Sequence, residues 1–215
     1  DASTVQNLRV ADFACGTGTL LSFAYSRIGQ LHEYAGGSAA DLHSRMMASS
    51  LVGADVLPAA SHLTASMLSG AHPTQKYASS SIMTVAYGPQ DDGTIALGSL
   101  DLLDPQRTFG ILAITAKAAE GMGEREKEVW EALPHSSFDY IMMNPPFTRA
   151  TGHEGKKVGI PNPMFAAFNS SDEEQEVMSR ATSRLTAGTS AHANAGEASI
   201  FLVLAERKLK EYGRL

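Results

Sequence analysis

Short, almost wholly apolar runs alternate along the chain with longer stretches whose apolar residues recur every three or four positions. This is the pattern of a mostly parallel sheet covered by helices on both faces, an α/β doubly wound architecture. "LRVADFA" (8–14) reads as a buried strand, and "TLLSFAYSRI" (19–28) as the helix that follows it. "SAADLHSRMMAS" (38–49) is predicted helical and leads into a second strand, "LVGADV" (51–56). "PAASHLTASML" (58–68) opens with proline at a helix start and carries apolar residues at helical spacing. "SIMTVAY" (81–87) is a third strand, and "TIAL" (94–97) a short extended segment. "EREKEVWEAL" (124–133) is a polar helix, "FDYIMM" (138–143) the fourth main strand, and "EASIFLVLAERKLKEYG" (197–213) an amphipathic helix. Segments 29–37, 70–80, 104–123 and 148–196 are rich in Gly, Ser, Thr, Ala or Pro and read as loops. The last is long enough to be a functional, substrate-side insertion. No internal repeat is visible.

Composition narrows this picture. With 215 residues, 43% of them hydrophobic, one substantial core is expected and hence one domain over 1–215. A single cysteine, Cys15, excludes a disulfide framework and a four-thiolate metal site, and fits a reducing cytoplasm. No run of about 20 apolar residues is present, so no membrane partner is expected. The seven histidines show no metal-ligand spacing and read as surface or packing residues. A net charge of -6 opposes a strong grip on nucleic acid by this chain alone.

The first strand runs into "ADFACGTGTLL", which places Gly16 and Gly18 where a strand turns sharply into a helix. Glycine there lets backbone approach a ligand closely. The third glycine of the dinucleotide fingerprint and the Gly-Lys-Ser/Thr ending of a phosphate loop are both missing, which disfavours pyrophosphate. Asp12, inside the strand two residues before the turn region, would repel phosphate and could hold an ammonium group. Asp55, at the end of the second strand, stands where a doubly wound fold presents an acid to ribose hydroxyls. Ribose recognition beside an ammonium partner fits S-adenosylmethionine.

"ADFACGTGTLL", "GADVLPAA" and "NPPF", in that order, resemble the N6-adenine DNA methyltransferases, and above all the modification subunits of restriction-modification and phage-defence systems. The resemblance implies a Rossmann-like, class I methyltransferase fold. It also implies that Ala14, Cys15, Gly16 and Gly18 hold the methionine end of the cofactor, with Asp55 and its neighbour Val56 on the ribose side. In the family an acid after strand three contacts the cofactor's adenine. Here Ser99 occupies that place, with Asp101 two residues later as the alternative. Asn144 and Pro145 then correspond to the two carbonyl acceptors for the target amine, Pro146 helps to lock their backbone, and Phe147 is the face on which an extruded base stacks. Acceptors are what an exocyclic amine needs, because its lone pair is delocalised into the ring and must be drawn toward the methyl group. Cys15 lies in the cofactor turn and is not expected to be a nucleophile. The basic residues of "RATGHEGKK" (149–157) stand where a substrate backbone could pass.

Asn-Pro-Pro followed by an aromatic also serves enzymes that methylate glutamine side chains or RNA bases, and a non-catalytic S-adenosylmethionine-binding module shares the same pocket. Phe147 and the long insertions favour DNA. The family's complete domain has seven strands, so the resemblance implies a catalytic-domain fragment that stops after about the fourth strand and its helix. DNA recognition would then lie largely outside this chain, in absent parts or in a specificity or restriction subunit. An exposed sheet edge beside the fourth strand is a further expectation.

Overall fold

The computed structural model describes residues 1–91, 93–104, 133–146, 171–189, 191 and 196–215. A first short helix, α1 (Ala2–Gln6), is capped by the Asp1 carboxylate, which accepts from Thr4 N at 2.8 Å. Strand β1 (Val10–Asp12) follows, then helix α2 (Thr19–Tyr34), helix α3 (Ala39–Arg45) and a π-helical turn over Met46–Ser50. Strand β2 (Leu51–Asp55) and helix α4 (Pro58–Ser69) lead to β3 (Ile82–Thr84). Strands β4 (Tyr87–Pro89) and β5 (Ile95–Leu97) form an antiparallel pair, and a 3-10 turn spans Gly98–Leu103. Beyond these lie β6 (Phe138–Ile141), α5 (Asp172–Leu185), α6 (Glu197–Lys208) and β7 (Leu209–Arg214).

The main sheet has the order β3-β2-β1-β6-β7, with every neighbour parallel. Its direction of winding therefore reverses between β1 and β6. Successive side chains of a strand point to opposite faces, and two separate cores result. Val10 and Leu51 face one core, filled by Leu21, Tyr25 and Ile28 of α2 with Leu42, Met46 and Met47. Ala11, Val52 and Ala54 face the other, filled by Met178 of α5, by Ile200, Phe201 and Leu204 of α6, and by Leu100 and Leu102 of the 3-10 turn. Both faces are thus covered, and the fold is a Rossmann-like α/β arrangement.

Several elements depart from the sequence reading. Helix α2 continues through six residues of the expected 29–37 loop, because Gly29 and His32 are buried in it rather than breaking it. The expected third strand splits: Ile82–Thr84 joins the main sheet, while Tyr87–Pro89 turns away to pair with Ile95–Leu97. Part of the expected 148–196 loop is α5, nucleated by a capping box in which Ser171 Oγ accepts from Glu174 N and Glu174 Oε2 accepts from Ser171 N. The expected 197–213 helix ends at Lys208, and its remainder is strand β7 beside β6. A fifth strand of the main sheet is therefore present, so both the expected stop after the fourth strand and the exposed edge beside it are corrected. Lys210 anchors that pairing, with Nζ 2.8 and 2.9 Å from the two Asp139 carboxylate oxygens. Residues 124–132 of the expected polar helix, Trp130 among them, the basic stretch at 149–157, and most of segments 104–123 and 148–196 lie outside the described residues.

His32 and His43 are core residues, 2% and 0% exposed. Tyr25 and His43 Nδ1 share a 2.6 Å hydrogen bond, and the rings of His72 and Tyr77 pack against His43, holding the 70–80 loop onto α2 and α3. No group of three or more His, Cys, Asp or Glu among the described residues is placed to hold a metal ion. No helix among them is long and apolar enough to cross a membrane.

Candidate functional site: a cleft at the reversal of the sheet

The chain leaves β1 through Phe13 and makes a turn held on three sides. Ala14 N donates to Asp12 Oδ1 at 3.0 Å, Cys15 N to Ala54 O at 3.0 Å, and Gly18 N to Cys15 O at 2.8 Å. Gly18 then caps α2 with φ +81°, and a Cβ there would lie 2.7 Å from Thr64 Cγ2 and Oγ1. Only glycine satisfies both conditions. Thr64 in turn donates from Oγ1 to Gly16 O at 2.9 Å, fastening the turn to α4.

Asp55 joins the two loops at the carboxyl ends of β1 and β2. Its Oδ2 accepts from Gly16 N at 2.8 Å and its Oδ1 from Leu57 N at 2.9 Å. A carboxylate oxygen has two acceptor sites, so each keeps one for a ligand. A cleft of about 300 Å³ opens over this junction. Its inner wall includes Ala14, Gly16, Asp55 and Val56, and the segment that follows β6 contributes Asn144 and Pro146. Asn144 is exposed, and among the described residues nothing engages its side-chain amide. Ser99 also lines the cleft, although its hydroxyl already donates to Phe13 O at 2.6 Å.

Other expected site residues stand outside this lining. Asp12 is 1% exposed, and burial together with the negative Asp55 pushes its carboxyl up to about 7. Cys15 is buried in the core on the α2 face, and burial, Asp12 and Asp55 push its thiol up to about 12, which removes it as a nucleophile at neutral pH. Gly18 meets Thr64, not the cleft. Asp101 is buried and its Oδ2 accepts from Leu97 N at 2.6 Å, closing the 3-10 turn. Pro145 connects Asn144 and Pro146 without lining the cleft, and Phe147 lies outside the described residues.

Some lining residues were not anticipated from sequence. Phe13, Leu97, Leu100 and Phe201 supply an apolar floor, with Tyr87 and Leu57 at its side. Glu197, the first residue of α6, also faces the cleft while only 5% exposed. Its one sequence signal is an acid ahead of the apolar run "ASIFLVL", which reads equally well as an ordinary partner of the helix dipole. Among the described lining residues Asp55 and Glu197 are carboxylates and none is Lys or Arg, which favours a ligand bearing N–H donors, hydroxyls or positive charge over one bearing phosphates. Compared with known proteins, the chain matches no protein-family model and no curated protein.

Proposed function

We propose that this chain is the catalytic part of an S-adenosylmethionine-dependent, adenine-specific DNA methyltransferase, acting on the N6 amine of an extruded base within a larger restriction-modification or defence enzyme. The observation that carries the reading is the meeting of three elements on one cleft: the Gly16 turn, the Asp55 carboxylate and the Asn144–Pro146 corner. They are distant in sequence and serve different parts of one reaction. The cleft also lies where the strand order reverses, the usual ligand position of an open α/β sheet.

The lining suits the cofactor. Asp55 keeps acceptor capacity for a ribose diol, the apolar floor suits a purine face, and the absence of Lys and Arg among the described lining residues suits a sulfonium. S-adenosylmethionine would supply the electrophilic methyl group. The chain's part is to hold the acceptor amine. The Asn144 carbonyl oxygen accepts from an N–H of the target, and the backbone carbonyl of Pro145 takes the second. Both interactions strengthen as positive charge grows on the nitrogen, and two consecutive prolines hold the carbonyls in place beforehand. DNA itself would be gripped largely by parts beyond this acidic chain, such as a specificity subunit.

The test is transfer of tritiated methyl to adenine-containing duplexes, to RNA and to a glutamine-bearing protein, by wild type and Asn144→Ala, with calorimetric titration of the cofactor. Transfer to DNA is expected, with a fall of about 10²- to 10³-fold in the variant and little change in cofactor affinity. Transfer confined to RNA or protein would redirect the substrate assignment. Near-normal transfer by Asn144→Ala would reduce the residue to a turn former.

A further inference from the structure

We infer that Thr64, a buried residue of α4 that stands outside the cleft, is the positioning residue of the ligand-binding turn: its hydroxyl holds the Gly16 peptide in the orientation that a bound cofactor meets. The inference rests on the cofactor-binding reading of the cleft and deepens it.

Gly16 is the residue of the turn most in need of support. It lines the cleft, has φ +51°, and a Cβ there would meet nothing within 4 Å, so no packing holds it from the open side. Both of its backbone polar groups are taken instead by side chains of the next strand and helix. Gly16 N donates to Asp55 Oδ2 at 2.8 Å, and Gly16 O accepts from Thr64 Oγ1 at 2.9 Å. The turn that leaves β1 is therefore clamped between the end of β2 and α4. Asp55 lines the cleft itself, whereas Thr64 does not line it and is 0% exposed, so whatever Thr64 contributes passes through Gly16.

A helical threonine has a local use for its hydroxyl, a bond back to the preceding turn of its own helix. Thr182 of α5 takes it, donating to Met178 O at 2.8 Å. Thr64 spends its hydroxyl across the chain. Its orientation is fixed from the other side by Gly18, whose missing Cβ would lie 2.7 Å from both Thr64 Cγ2 and Oγ1. Without the hydroxyl, the Gly16 carbonyl loses its hold on α4 and the peptide gains freedom to rotate. Displacement of a ligand-facing peptide costs affinity even when the fold survives.

Calorimetric titration of the full protein with S-adenosylhomocysteine tests this in wild type, Thr64→Val, Thr64→Ser and Ser61→Ala, with a urea midpoint for each. Thr64→Val keeps the shape and loses the hydroxyl, and should bind about 3- to 10-fold more weakly, the range of one hydrogen bond. Thr64→Ser keeps the donor and should stay within about twofold of wild type. Ser61→Ala removes another buried hydroxyl of α4, one bonded to Thr84 Oγ1 and Pro58 O rather than to the turn. It should lose stability and keep its affinity. Unchanged affinity in Thr64→Val of native circular dichroism overturns the inference alone. So does a loss in Ser61→Ala as large as in Thr64→Val, or a Thr64→Ser protein that binds no better than Thr64→Val. If Thr64→Val does not fold, Thr64→Ala carries the same expectation. Wild type that fails to bind overturns the cofactor reading as well.

Discussion

Asp12 shows how one buried carboxylate shapes the site without touching it. Its Oδ1 fixes the turn through Ala14 N, yet burial and Asp55 raise its carboxyl from 3.8 to about 7. A raised folded-state value means that the native protein holds this proton more tightly than the unfolded chain. The associated stability is full below about pH 4 and is lost as pH rises through 7. Asp12→Asn keeps an acceptor for Ala14 N and removes the ionisation. Its melting temperature should exceed that of wild type at pH 8, by a free energy on the order of a few kcal/mol, and converge with it at pH 4. Thermal melts at both pH values check this, and an equal advantage at each would contradict it. Gly16, Asp55 and Asn144, which the structure brings to one cleft, were legible as candidates because each lies at or just beyond a strand end beside a distinctive local motif. Glu197 was not, since only the packing of α6 against the 3-10 turn brings it to Tyr87.

At the scale of elements, the start of α2 is the most constrained junction. Gly18→Ala combines a left-handed backbone with a Cβ 2.7 Å from Thr64, and should destabilise the fold by about 1–3 kcal/mol. Adding Thr64→Ala relieves the collision while sacrificing the bond to Gly16 O. The double variant should therefore lose less than the sum of the singles, and urea titrations of the three proteins measure the coupling. Strict additivity would show that the two side chains do not meet. The most instructive misreading is at α6 and β7. "ERKLKEYG" has the composition of a helix end, and Leu209 continues the apolar spacing. Pairing with the open side of β6, together with the Lys210–Asp139 ion pair, outweighs that local preference. Helix α5 carried the opposite lesson: its Ser-x-x-Glu cap was present in the sequence at 171–174 but lay inside a stretch read as insertion.

Across the whole molecule, two buried ionisable groups pull stability in opposite directions with pH. Lys208 is 4% exposed, donates to Leu133 O at 2.8 Å, and is lowered by burial from 10.5 to about 8. A cation whose folded-state value is depressed costs stability while charged in the native state. That cost is present below about pH 8 and fades as pH rises toward 10.5. Asp12 removes stability up to about pH 7 and Lys208 restores it above pH 8, so their joint contribution is smallest between the two. Urea midpoints from pH 7 to 10.5 should rise in wild type relative to Lys208→Met, whatever constant offset the lost bond to Leu133 introduces. A difference between the two proteins that stays flat over that range would refute the assignment.

What the sequence determined by itself was local. Apolar runs at periods of two and near four specified an α/β layering, since each side chain's face follows from its position along a strand or helix. The glycine turn, Asp55 and the Asn-Pro-Pro corner were legible because the chemistry of each resides in a few consecutive residues. Tertiary structure alone decided the order β3-β2-β1-β6-β7, which depends on pairings between residues as distant as Val10 and Tyr140. It also decided that Tyr87 leaves the main sheet, that residues after Lys208 become its fifth strand, and that Glu197 faces the cleft while Asp12 and Asp101 turn away from it. Each of these is a competition between a local preference and a partner supplied from elsewhere in the chain, and a one-dimensional pattern carries only the first.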